Sequence, residues 1–293
     1  MSPEERLHYE ARVRTRQAVI AVLAGVFLLL ASIVSLAGPH ATVSELTLDL
    51  ITANKRSVLD VIAAVINALG SLTLAATLVY LHGAARARNA KVQPWLRILA
   101  IVGGVAAAIA GIGYAVLIAV KAHQFATTGS QTYQEAHNLT SGSGLVGLQL
   151  VGQASALLLA FAFVLISLGA MRAGLLTRFM GYLGVFAGIL ILFQIIQVPI
   201  VQTYWLLALG YLVSGRWPSG VPPAWQTGKA EPWPSSQSLR EQRAQAAAAR
   251  GGGGRAGRGR GKPAPTPAPE TVGVRAPPAT RAGTPKRKRK RRK

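Results

Sequence analysis

Over its first 225 residues the chain alternates long apolar runs with short polar stretches that are mostly basic. Four runs stand out: Ala18 to Ala37, Val58 to Leu81, Ile98 to Val120 and Gly144 to Met171. Each is long enough, at ~1.5 Å per helical residue, to cross the ~30 Å hydrocarbon core of a bilayer. None carries a charge in its middle, and Asp60 sits near the start of the second run, within reach of headgroups. The pattern predicts an all-α protein, a polytopic transmembrane helical bundle.

Residues 178–215 are apolar as well but too long for one crossing, and Pro199 lies in their middle among Gln194, Gln197 and Gln202. Proline suits the first turn of a helix, where its missing N–H has no partner to lose. The stretch therefore divides into Phe179–Gln197 and Pro199–Gly215, which brings the bundle to about six spans. A re-entrant hairpin over 178–215 satisfies the same parity.

The first run follows Arg6, Arg12, Arg14 and Arg16 and ends Ser35-Leu-Ala37, features shared with a signal peptide. It is longer than the usual ~7–15-residue signal core, so it reads as a retained anchor. Loop charge sets the orientation, because Lys and Arg are costly to carry across a membrane. With the amino terminus inside, the cytoplasmic segments collect those four arginines, Arg86, Arg88, Lys91, Arg97, Arg172, Arg178 and Arg216. The outer loops, residues 38–57 and 121–143, hold only Lys55, Arg56 and Lys121. The expected layout is a cytoplasmic segment over 1–17, a membrane domain over 18–215, and a carboxyl terminus inside the cell at the plasma membrane.

Charge changes the picture after residue 225. Residues 226–293 hold eighteen of the 32 Lys and Arg and three of the 10 acidic residues, hence +15 of the net +22. Trp217, Trp225 and Trp233 recur every eight residues among prolines in 216–237. Such a segment fits the inner headgroup layer or a plain Pro-rich linker. Ser238 and Glu241 match a capping box for a short Ala-rich helix over 238–250. Residues 251–293 are Gly-, Arg- and Pro-rich, end in eight consecutive basic residues, and read as disordered by composition. Those eight (Lys286, Arg287, Lys288, Arg289, Lys290, Arg291, Arg292 and Lys293) suit anionic lipid headgroups at ~1 kcal/mol each. Non-specific phosphate contacts to nucleic acid are the other functional reading, and a solvated tail without a partner is the bland one.

Candidate chemistry is sparse. The chain has no cysteine, which removes disulfides, thiolate metal sites and cysteine nucleophiles. Proton- or ion-coupled transport usually places ionisable groups within the spans, and none lies at mid-span here. Neutral polar residues are present instead. Asn67 and Ser71, and separately Gln149 and Gln153, lie four apart and so share a helix face. They define a candidate polar cleft for a neutral ligand, or else serve as interhelical hydrogen bonds. His123, Glu135 and His137 flank one outer loop and supply a possible zinc set, though their spacing is not helical and no general base accompanies them. Asn138-Leu-Thr140 is a sequon that matters only in a eukaryotic host. Gly103, Ala107 and Gly111, then Gly152, Ala156 and Ala160, then Gly184 and Gly188 form small-residue strips suited to close helix packing.

The stretch Gly174-Leu-Leu-Thr-Arg178-Phe-Met-Gly181-Tyr-Leu-Gly184 resembles a motif of uncharacterised six-span membrane proteins of actinobacteria. There a Gly-Leu-Leu-Pro-Arg turn precedes Gly-x-x-Gly at the start of a span, and Thr177 here stands in the place of the proline. The resemblance implies a bundle and a membrane location and carries no known activity. The richness in Ala, Arg and Gly fits a high-GC bacterial source. Together these features predict a non-enzymatic membrane protein without cofactors, whose basic tail binds anionic lipid or a partner. A transporter or permeability factor for a small neutral solute, using Asn67, Ser71, Gln149 and Gln153, is the alternative.

Overall fold

The computed structural model describes residues 3–39, 45–193, 198–218 and 220–231, together with Arg240, Glu241, Ala244 and Gln245. Among them the chain is wholly helical: α1 (Pro3–Leu36), α2 (Leu46–Arg88), α3 (Trp95–Thr127), α4 (Tyr133–Thr140), α5 (Ser143–Arg172), α6 (Arg178–Phe193), α7 (Ile200–Val213) and α8 (Pro223–Thr227). Two compact units divide it, Met1–Ser235 and Ser236–Lys293. In the second unit the four described residues are helical and fall inside the helix predicted over 238–250. Gln194, Gln197, Trp233, Ser238 and the basic run Lys286–Lys293 lie outside the described residues.

Four helices are long and apolar enough to cross a membrane: Leu7–Leu36, α2, α3 and α5. α6 and α7 are apolar but hold 16 and 14 residues. At ~1.5 Å per residue α7, bounded by Pro199 and Ser214, reaches about 21 Å, short of a ~30 Å core, while α6 is described as far as Phe193. α2 begins twelve residues before the expected Val58. Leu46, Leu50, Ile51 and Ala53 recur at helical spacing and pack on Ala122 and Phe125 of α3 and Ala136 of α4. Most of both predicted outer loops is therefore helix, held by its own small apolar cluster.

In the first unit α1 packs on α2 and α7, α2 on α3, α3 on α5, α5 on α6, and α6 on α7, with α2 also touching α5 across the ring. Glycines mark the closest approaches. A Cβ at Gly188 would stand 2.6 Å from Val164 Cγ2 and 3.1 Å from Ala160 O, and one at Gly104 would meet Ser71 O at 3.1 Å. Gly103 lies against Leu159 of α5, whereas Gly111 and Gly152, on the same predicted strips, face open space. The inner half of the ring is filled by Leu74, Leu78, Phe163, Ile166, Trp205 and Leu209.

These contacts also fix depth. Gly181, Gly184 and Gly188 of α6 meet Met171, Ser167 and Val164 of α5 in antiparallel register, which brings Phe193, the last described residue of α6, level with Leu158 or Leu159. Gly25 of α1 meets Thr203, and Ala18 meets Gly210, so Ile200 comes level with Leu28 or Leu29. α5 continues fifteen residues beyond Leu158 toward Ser143, about 22 Å at ~1.5 Å per residue. The start of α7 and the described part of α6 thus lie well short of the Ser143 end of α5.

Candidate functional site

A polar cluster lies at the end of the first unit where α2 finishes and α8 packs. Arg88, at the end of α2, donates through Nη1 to Glu10 Oε1 at 2.8 Å and through Nη2 to Glu10 Oε2 at 2.6 Å. Its Nε donates to Ala224 O at 2.8 Å, and its guanidinium sits 5.1 Å from the centre of the Trp225 ring. Trp225 stacks on Tyr80 with centroids 6.0 Å apart and donates from Nε1 to Leu175 O at 3.1 Å. A bidentate carboxylate, a carbonyl and an aromatic face together use the planar cation fully. The result is a lock: α1, α2, the α5–α6 turn and α8 are held at one point.

The local backbone is shaped for this. α5 ends in Ala173 and then Gly174 at φ +75°, where Leu175 N donates back to Ala170 O at 2.9 Å. That left-handed turn suits glycine, and Glu231 O also passes directly against it. Thr177 then caps α6, its Oγ1 accepting from Met180 N at 3.1 Å. The residue that departs from the resembled motif thus does the work of an N-cap. Residues 216–231 fold back onto the bundle, with Ala224 buried and Trp217 and Trp225 packed against the main core.

Beside the lock, α1, α2 and α3 enclose a cavity of about 770 Å³. Its lining includes Gln17, Tyr80, His82, Arg86 and Arg97, with Ala76, Val79 and Ile98 on the apolar side. His82 is buried, with Nε2 2.9 Å from Gln93 O. Gln17 Oε1 and Tyr80 Oη are enclosed and have no hydrogen-bond partner. None of the residues named from sequence as a candidate cleft lines this cavity.

Those residues stand elsewhere. Ser71 is buried and donates to Asn67 O at 2.9 Å within its own helix. Asn67 is exposed, although by helical geometry it points opposite the outward stripe of Ile62, Val65, Leu69 and Leu72. It shares the inward face with Leu74 and Leu78, which are buried in the core. Gln149 and Gln153 are also exposed and continue the α5 face that carries Ala160, Val164 and Ser167, the seam for α6. Both lie past the level of Phe193, the last described residue of α6, toward Ser143. Asn67 likewise lies past the start of α7, since Gly70 meets Leu28, whereas Ser71 is buried.

Glu135 caps the loop before α4, accepting from Ser130 Oγ and Gln131 N at 3.0 Å each, while His123 and His137 are exposed. Among the described residues no group of three or more His, Asp or Glu is placed to hold a metal. Sequence reasoning missed the Glu10–Arg88 lock because its members are 78 positions apart. The signals that could have pointed to it were Glu10, set between Arg6 and Arg12, and the Trp spacing of 217–233. No protein-family model, no curated protein and no solved structure matches this chain.

Proposed function

We propose that this chain is a non-enzymatic multi-pass protein of the plasma membrane whose basic tail holds anionic lipid headgroups at the cytoplasmic face. α1, α2, α3 and α5 cross the membrane, and α6 with α7 enters from the cytoplasmic side and returns to it. The loop charges support this sidedness, with eleven basic residues on the inner segments and three on the outer. The hairpin reading is supported by the shortness of α7 and by Ile200 standing level with Leu28 or Leu29.

The observation that carries the proposal is the seating of residues 216–231 on the inner end of the bundle, through Trp225 and Arg88. Covalent connection then delivers the +15 tail to the headgroup layer, where each Lys or Arg gains ~1 kcal/mol near anionic lipid at low salt. The test compares the full chain in detergent with a chain ending at residue 233, using vesicles of phosphatidylglycerol or phosphatidylcholine. Salt-sensitive binding to the anionic vesicles should vanish with the tail while membrane insertion persists. Unchanged binding refutes the proposal, and binding to RNA in preference to the vesicles assigns the tail to nucleic acid.

A second reading, a permeability factor for a small neutral solute, is favoured by one observation: Asn67 faces inward yet is exposed. Asn and Gln both donate and accept hydrogen bonds, and no charge accompanies them there, which suits an uncharged solute. Replacing Gln149 and Gln153 with Leu should abolish glycerol or urea uptake into proteoliposomes without lowering thermal stability. Lower stability with no uptake from the parent protein would assign both residues to packing.

A further inference from the structure

The inner cavity has a chemistry separate from the tail. Its walls come from three helices that meet near the cytoplasmic boundary: Gln17 on α1, Ala76 through Arg86 on α2, and Arg97 and Ile98 on α3. Arg86 and Arg97 are both exposed at its mouth. Glu10, the acid nearest them in the lining, is already spent on Arg88 through both of its oxygens. The mouth therefore carries uncompensated positive charge.

The remaining wall is apolar. Ala76 lies on the same outward stripe of α2 as Leu69 and Leu72, and Ile98 is exposed on α3, so this side of the cavity opens toward the acyl chains of the bilayer. Gln17 and Tyr80 also line the cavity, although Gln17 Oε1 and Tyr80 Oη are themselves enclosed by protein. A volume of about 770 Å³ holds a headgroup, a glycerol backbone and the first part of an acyl chain.

We propose that this cavity is a specific site for one anionic phospholipid of the inner leaflet. The phosphate lies between Arg86 and Arg97, and an acyl chain runs along Ala76, Val79 and Ile98. Charge selects the occupant: two arginines with no free acid between them favour an anionic headgroup over a zwitterionic one. The site goes beyond the tail reading, since every residue in it precedes residue 100.

Native mass spectrometry of the chain ending at residue 233 separates the two sites, with phosphatidylglycerol or phosphatidylcholine added to the detergent-held protein. This tail-less chain should retain one phosphatidylglycerol in preference to phosphatidylcholine. Arg86→Ala with Arg97→Ala should weaken that retention about thirtyfold, given ~1 kcal/mol per cation at the headgroup level. Ala76→Trp, which fills the acyl side without touching the charges, should also expel the lipid, whereas Ala154→Trp on the outward face of α5 should not. Equal retention of the two lipids, or retention that survives both Arg86→Ala/Arg97→Ala and Ala76→Trp, overturns the assignment. Failure of the tail reading leaves these outcomes untouched, because the tail is absent from the protein measured.

Discussion

Glu10 of α1 and Arg88 of α2 form a two-pronged ion pair in which the arginine side chain has no exposed surface and the glutamate only 9 %. Their oxygens and nitrogens stand 2.6 and 2.8 Å apart. The pair closes the inner end of the α1–α2 seam and gives α8 its seat through Ala224 O. A charge this deeply enclosed tolerates its partner's loss poorly. Glu10→Ala should destabilise the protein by about 3 kcal/mol, the lower end for a stranded buried charge. Arg88→Met with Glu10→Leu should recover most of that loss, because an apolar pair of similar volume has no unpaired charge to solvate. Thermal unfolding in detergent measures both, and a double variant no better than Glu10→Ala would mean that the pair is valued for more than charge compensation.

Trp225 contributes area, a ring face to Arg88 and Tyr80, and one donor to Leu175 O. Trp225→Ala should cost about 3 kcal/mol, as large-to-small changes of buried aromatics do. Trp225→Phe keeps most of the ring and forfeits one hydrogen bond, about 1 kcal/mol. Limited proteolysis of the protein in detergent provides the measurement. Cleavage within 216–231 should accelerate strongly in Trp225→Ala and modestly in Trp225→Phe, and equal rates would show that the ring is not the anchor.

The hairpin has its own clasp. Gln202, buried on α7, donates through Nε2 to Ala187 O on α6 at 3.1 Å, and Trp205 Nε1 donates to Met180 O at 2.8 Å. Gln202→Leu should lower stability by about 1 kcal/mol, near the top of what single interhelical hydrogen bonds contribute in membranes. Gln202→Glu should cost more, since it adds an acid where the bilayer disfavours charge. Reversible unfolding in mixed micelles gives the comparison, and a Glu variant as stable as the parent would place this position in water.

Hydrophobic runs revealed the helices that the bilayer dictates. The fourth span was legible as Gly144 to Met171 and is Ser143–Arg172, because few things but an apolar helix satisfy that composition in lipid. The amino-terminal extension of α2 was hidden, since Lys55 and Arg56 read as part of a polar loop over 38–57. In the fold Arg56 instead bonds Asp60 at 3.0 Å and reaches Ser35 O, tying α2 to the end of α1. Trp225 read as a headgroup residue or a linker residue because nothing in local sequence names its distant partners, Leu175 and Arg88. Asn67 and the two glutamines were legible as polar residues in spans. That they lie past the start of α7 and past the last described residue of α6 is a property of packing register.

Register also separates glycines that look alike in sequence. Gly188 and Gly111 each belong to a strip of small residues at four-residue spacing. A Cβ at Gly188 would press on Val164 Cγ2 at 2.6 Å and on the carbonyl of Ala160 at 3.1 Å, while one at Gly111 would meet nothing within 4 Å. The Ala160 carbonyl belongs to a rigid helix and cannot rotate aside, so α6 must move as a body. Gly188→Ala should therefore destabilise by about 1–3 kcal/mol, the usual cost of overpacking. Gly111→Ala should be neutral or stabilise by up to about 1 kcal/mol, since alanine is the better helix former and the methyl meets no neighbour. Thermal unfolding of the two variants side by side reads the difference directly. Equal effects would mean that α6 is not held against α5 at the distance its glycines allow, and the depth assigned to Phe193 would fall with it.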